Sequence, residues 1–201
     1  MKKTLYFLFL FGYCLACQQN TNERRLYQLE TSNEAGIQAV IEIPAGTNDK
    51  IEYNLARKGF EIDSINGKAR VINFLPYPGN YGFIPSTYVH PEQGGDGDAL
   101  DVLVLSPSVP TGTVMNILPV AVLLLKDRGE IDSKIIAVPL DSTQRSIQIA
   151  TFTDLLIHHH MAKKILEDWF LSYKGVGQME LIAWEDERAA MKEIEKWTVA
   201  D

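Results

Sequence analysis

The spacing of apolar residues divides the chain at about residue 150. Before that point, short apolar runs are separated by turn residues; after it, apolar residues recur at helical spacing. "IQAVIEIP" (37–44) alternates in part, and "KIEYN" (50–54) is shorter and more polar. "RVINFL" (70–75) follows "SINGK", whose Asn66–Gly67 pair marks a hairpin turn. "LDVLVL" (100–105), "TVMNILPVAVLLL" (113–125) and "SKIIAVP" (133–139) are rich in β-branched and large apolar residues and predict strands. Pro119 has no amide to donate, which predicts a bulge or an edge in mid-strand. From Thr153 to Tyr173, Leu155, Ala162, Ile165, Leu166, Trp169, Phe170 and Tyr173 fall on one face of a helix, capped by Thr153 or Asp154 and stopped by Gly175. "MELIAW" (179–184) predicts a late strand and "EDERAAMKEIEKW" (185–197) a second helix. Short strands followed by helices predict an α+β domain, a small β-barrel flanked by helices.

The first residues follow another rule. A basic "MKK", an apolar "TLYFLFLFGYCLA" and the small Ala16 before Cys17 have the layout of a signal peptide over residues 1–16. The cysteine at the cleavage point makes it similar to a bacterial lipoprotein signal, with Cys17 the lipidated N-terminus, although Cys14 stands where such signals usually carry Leu. Ordinary secretion and an uncleaved anchor are the alternatives. The polar run that follows reads as a tether over 17–36, leaving 37–201 as the domain. The location this implies is the bacterial cell envelope, membrane-anchored by lipid and facing the periplasm or exterior, or the cytoplasm if the leader does not function. Both cysteines lie in the leader, so the mature domain forms no internal disulfide.

Charge narrows the partners. The 201 residues carry a net charge of −7, and losing Lys2 and Lys3 leaves 17 basic against 26 acidic residues, or −9. That balance repels polyanions and argues against nucleic acid. It argues less against a small anion that arrives with divalent cations.

"GGDGDALDVLVL" (94–105) sets Asp96, Asp98 and Asp101 within six residues and runs into an apolar strand. A helix–loop–helix calcium loop from Asp96 needs an oxygen ligand fifth, Gly sixth and Glu twelfth; this chain has Leu100, Asp101 and Pro107. An aspartyl-phosphate phosphatase places its aspartates after a buried strand, whereas "HPEQGG" precedes these. What remains is a loop-to-strand junction that gathers hard oxygens for Mg²⁺, Mn²⁺ or Ca²⁺, or else a solvated acidic turn. "KDRGEIDSK" brackets a turn with Asp127 and Asp132 and opens the next strand with Lys134; alone it reads as a charged hairpin loop. Lys50 and Glu52, two residues apart, share one strand face, with Glu42 upstream. "YPGNYGFIP" (77–85) is either tightly packed loop or a source of phenol hydroxyls for a ligand.

Taken in order, "EIP…KIE…R…YPGNYGFIP…DGDALDVLV…D…DSK…YK", from about Val40 to Lys174, resembles the soluble inorganic pyrophosphatases of family I. The resemblance implies a five-stranded barrel related to the OB fold, several Mg²⁺ ions per site, with Mn²⁺ or Zn²⁺ as substitutes, and hydrolysis of pyrophosphate to two phosphates. It implies Asp96, Asp101 and Asp132 as metal-bridging carboxylates and Asp98 as general base on the attacking water. Asp127 would hold the metal that arrives with substrate, and Glu42 and Glu52 metal-bound waters or the hydrogen-bond network. Lys50, Arg70, Tyr81, Lys134, Tyr173 and Lys174 would grip the phosphates, with Tyr77 nearby. Arg70 stands one residue closer to Tyr77 than in typical bacterial members, and Arg128 replaces a commonly acidic residue. Bacterial members are typically hexamers, so the resemblance also implies a homo-oligomer.

The chemistry suits these residue types. Pyrophosphate repels a water nucleophile; metals sharing carboxylates lower the pKa of a bridging water, and cationic side chains offset phosphate charge. Two rival readings are a metal-binding barrel without turnover and a hydrolase of another phosphoanhydride, such as short polyphosphate or a nucleotide. His158, His159 and His160 point about 100° apart on a helix, so they cannot converge on one ion and read as helix surface.

Overall fold

The structure, a computed structural model, describes residues 23–199. The leader, Cys17 and the first residues of the expected tether lie outside the described residues. The main strands are β1 (Gly36–Ile43), β2 (Ile51–Asn54), β3 (Gly59–Ile62), β4 (Asn80–Phe83), β5 (Asp101–Val104), β6 (Val114–Asp127), β7 (Lys134–Pro139) and β8 (Met179–Asp186). The helices are α1 (Phe152–His158), α2 (His160–Ser172) and α3 (Glu187–Trp197).

Five strands close a ring in the order β1, β4, β5, β7, β6 and back to β1. Only β5 and β7 run parallel; the other four pairings are antiparallel. Closure leaves no open edge within the ring. This is the small OB-like barrel expected from the sequence. β6 is long enough to serve twice: its first half closes the ring against β1, and its second half pairs with β8 outside it. β2 and β3 form a separate hairpin.

The ring strands are buried on both faces, which explains their nearly continuous apolar runs. One face carries Leu103, Leu105, Ile136 and Val138 and packs with Leu166, Trp169 and Phe170 of α2. The alternate residues Val102, Val104, Ile135 and Ala137 pack with Ala190, Ile194 and Trp197 of α3. Against β7, Ala121 opposes Ile136 and Pro119 opposes Ala137, so Val120 is the extra residue of a bulge beside the proline, where it was expected.

Several sequence expectations are corrected. The segment 70–75 forms no strand beyond a single bridge from Val71 to Asp49. Residues 80–83, expected as loop, form a fully buried strand. The helix expected over 153–173 is two helices that break at His159, whose ψ of 34° leaves the helical range. Its cap is Thr151, two residues earlier, in a reciprocal capping box with Asp154. The three histidines lie at the break and on the surface.

The polar tether also ends sooner than expected. From Glu23 the chain forms a 3-10 turn over Glu23–Gln28. Leu26 is 7% exposed and packs with Val40, Phe83 and Ala99. Thr31 donates to the Pro85 carbonyl and Ser86 to the Leu29 carbonyl. Ordered structure therefore reaches Glu23, fourteen residues before the expected boundary at 37, because Leu26 and Tyr27 supply apolar surface that the surrounding polar residues conceal in the composition.

Candidate active site

The site forms at one end of β5 and β7. Their parallel register sets Asp101 beside Lys134, on the strand face that continues into Leu103 and Ile136. The Lys134 ammonium, buried, contacts both Asp101 and Asp132. Burial alone would lower the Lys134 pKa, but Asp101 and Asp132 outweigh it and hold the ammonium charged. Lys174, just beyond α2, reaches Asp127 at 2.7 Å and Asp132 at 3.6 Å. Burial pushes Asp132 up; the Lys134 and Lys174 charges overcome it and keep its pKa low.

Glu42 owes its aim to a second bulge. Ile41 opposes Gly82 and Ile43 opposes Tyr81, so Glu42 is left between ladder positions. Its carboxylate accepts the Tyr53 N–H at 2.8 Å. Burial raises its pKa to about 8, against the lowering charge of Lys50. Lys50 pairs with Glu52 at 2.8 Å. Burial pulls the Lys50 pKa down, but Tyr77, Glu52, Glu42 and Asp101 together raise it.

Asp96 and Asp98 lie on the loop entering β5, which bends through left-handed Gly94 (φ 87°) and Gly97 (φ 85°). Asp96 accepts the Asp98 N–H at 3.1 Å. Both side chains reach solvent. Partial desolvation, with the neighbouring carboxylates, lifts Asp96 to about 6, and desolvation followed by the Asp101 and Glu52 charges raises Asp98. Among the phenols, Tyr81 is buried with its ring within 6 Å of both the Lys50 and Lys134 ammoniums. Tyr77 lies between Tyr81 and Trp169, and Tyr173 stacks on Trp169 at 4.6 Å. Burial raises the pKa of both Tyr77 and Tyr81, so both hydroxyls stay protonated donors. Arg70 joins through its backbone, whose carbonyl accepts the Lys50 N–H, while its guanidinium is engaged by Asp63 at 3.0 Å.

Two participants were not read from the sequence. Asn80 is fully buried; it accepts from Ala45 and Val109 and donates to Ser106 and Pro107, tying together the loops behind Glu42. The other is Tyr27, which lines a cleft of about 110 Å³ together with Glu42, Lys50, Glu52, Asp98 and Asp101.

Divalent cations fit this donor set. Asp127 Oδ1 and Asp132 Oδ2 are buried without hydrogen-bond partners, and hard carboxylate oxygens crowded at one mouth suit a hard ion. Among the described residues no three acidic or histidine side chains already enclose a common point. Lys134 instead stands between Asp101 and Asp132.

A ring of five strands carries carboxylates, lysines and phenols at one mouth, a donor set whose chemistry suits small oxyanions and hard cations. The family model for inorganic pyrophosphatase matches residues 39–200. An inorganic pyrophosphatase of Neisseria meningitidis serogroup B is 34% identical over 169 residues, covering 80% of this chain and 88% of that protein. One from Thermus thermophilus is 33% identical over 165 residues, covering 79% and 86%. Among solved structures, the Thermus thermophilus inorganic pyrophosphatase superposes with a TM-score of 0.71 at 30% identity, covering 87% of this chain and 97% of that one. That from Neisseria gonorrhoeae gives 0.68 at 33% identity, covering 81% and 88%. The chain belongs to the inorganic pyrophosphatase family.

Proposed function

We propose that the protein hydrolyses inorganic pyrophosphate to two orthophosphates, with several Mg²⁺ ions held by Asp96, Asp101, Asp127 and Asp132 and supported by Glu42 and Glu52. The observation that carries this reading is the alternation of charge at the barrel mouth, where Lys134 bridges Asp101 and Asp132 and Lys174 bridges Asp127 and Asp132. Such a surface attracts a polyanion and its counterions together. When bound there, Mg²⁺ supplies charge neutralisation and acidifies water.

The protein's own groups do the rest. Lys50, Lys134, Lys174 and Arg70 offset charge on the phosphates. Tyr77, Tyr81 and Tyr173 donate hydrogen bonds without adding charge. Asp98, solvent-facing and with a raised pKa, accepts the proton of the attacking water, which suits a general base better than an ordinary carboxylate. Water oxygen bonds to one phosphorus, the bridging P–O bond breaks, and the second phosphate leaves.

The test is phosphate release from pyrophosphate with Mg²⁺, measured beside Asp98→Asn. Turnover that the variant lowers at least a hundredfold supports the reading. A parent that binds Mg²⁺ without turnover would move it to a binding module. We further propose export and lipidation at Cys17, supported by the leader pattern alone; failure of a labelled fatty acid to enter the parent, beside a Cys17→Ser control, would overturn it.

A further inference from the structure

We infer that Trp169 is a positioning residue for Tyr173, setting that phenol at the barrel mouth through a flat ring-on-ring contact. The inference rests on the proposed role of Tyr173 in donating to a phosphate.

Tyr173 stands where α2 stops. Its N–H still donates to the Trp169 carbonyl at 3.0 Å. Beyond it the chain leaves the helix through Lys174 and the left-handed Gly175 (φ 107°), and Val176 is almost fully exposed. The backbone therefore steadies the Tyr173 ring from one side only. Among the described residues no hydrogen bond holds its hydroxyl, so other rings give the phenol its direction. Trp169 lies over one face at 4.6 Å with planes 9° apart, and Phe170 meets it edge-on at 6.1 Å.

Trp169 can act as an anchor because it is fixed without Tyr173. It is 3% exposed, and its indole N–H donates to the Leu75 carbonyl at 2.9 Å, which decides how the indole plane is turned. Tyr77 at 4.8 Å and Phe170 at 5.1 Å close around it. Filling this part of the core requires bulk, which an aliphatic side chain would supply. It does not require a plane parallel to the phenol four residues on, the helical spacing at which two side chains meet. Because the same indole also touches Tyr77, two of the three phenols at the mouth lean on one side chain.

The experiment measures KM and kcat for pyrophosphate with Mg²⁺ on the full chain, on Trp169→Met, Trp169→Phe and Tyr173→Phe, and on the double variant Trp169→Met/Tyr173→Phe. Tyr173→Phe removes the hydroxyl and should raise KM about tenfold, the size of a hydrogen bond to a charged group. Trp169→Met keeps bulk but loses the flat ring, and should raise KM by a similar factor. Loss of folded protein lowers kcat and leaves KM unchanged, so KM separates positioning from stability. Trp169→Phe restores a ring to stack on and should recover most of the loss. The double variant should stay within about twofold of Tyr173→Phe, whereas independent effects would multiply to about a hundredfold. An unchanged KM in Trp169→Met, or effects that multiply, overturns the inference.

NMR of the tyrosine rings tests the contact in the parent, with no need for turnover or for Trp169→Met to fold. The Tyr173 ring protons, assigned through Tyr173→Phe, should lie upfield of the ordinary tyrosine range because they sit over the indole. Ordinary shifts overturn the inference whatever the activity. A parent inactive on pyrophosphate would instead defeat the proposed function, while the ring shifts would still decide the contact.

Discussion

Lys134 and Asp101 stand side by side on the two parallel strands of the ring, and the Lys134 ammonium also reaches Asp132. A buried cation thus lies where two carboxylates would otherwise repel each other. Replacing Lys134 with Met leaves both without that partner, and uncompensated buried charge costs about 3–5 kcal/mol. Urea unfolding in EDTA should show that loss, excess Mg²⁺ should recover part of it, and pyrophosphate turnover should be lost.

Carboxylates with raised pKa values make the metal-free protein sensitive to base. Glu42 rises from 4.5 to about 8 and Asp96 from 3.8 to about 6. Each binds its proton more tightly when folded, so its contribution is full below its unfolded pKa and is lost as pH climbs through the folded one. Asp132, held low by its lysines, acts oppositely and loses its contribution as pH falls through its depressed pKa. In EDTA, the unfolding free energy from urea melts should therefore fall between about pH 5 and about pH 8, by a few kcal/mol at most. Glu42→Gln should flatten the upper part of that slope.

Gly82 of β4 pairs with Ile41 of β1 beside the Glu42 bulge. A Cβ placed there would lie 1.9 Å from the Val40 carbonyl oxygen and 2.9 Å from the Ile41 Cα, both backbone atoms that cannot step aside. Gly82→Ala should cost more than about 3 kcal/mol, which places it among severe substitutions. Soluble yield and melting temperature would check it; a near-normal melt would mean that the two strands can part more easily than their pairing suggests.

Leu26 tests whether the N-terminal segment belongs to the fold. A leucine in a solvated tether would tolerate Ala within about 0.5 kcal/mol. Buried against Val40, Phe83 and Ala99, Leu26→Ala should cost about 2–4 kcal/mol, read from urea unfolding at neutral pH.

Most of the ring was legible because its strands are doubly buried and their apolar runs are long. β4 was not, since "NYGF" combines turn-prone Asn and Gly with two aromatics, and only the close approach at Gly82 explains why a glycine sits in a strand. Val71 illustrates the reverse error: a β-branched residue in an apolar run that finds one bridge and stays 53% exposed. In the site, carboxylates and lysines were identifiable because their order resembles a known family. Their pairing was not, because the contacts from Lys134 and Lys174 to Asp132 depend on strand register and on where α2 ends. Tyr27 lay in a polar stretch with no motif to mark it.

The seating of Tyr27 on the cleft wall also sets the length of a leash. Tyr27 follows Cys17 by ten positions, and ten fully extended residues span at most about 36 Å. A lipid on Cys17 would therefore hold the cleft wall at Tyr27 no farther than that distance from the bilayer.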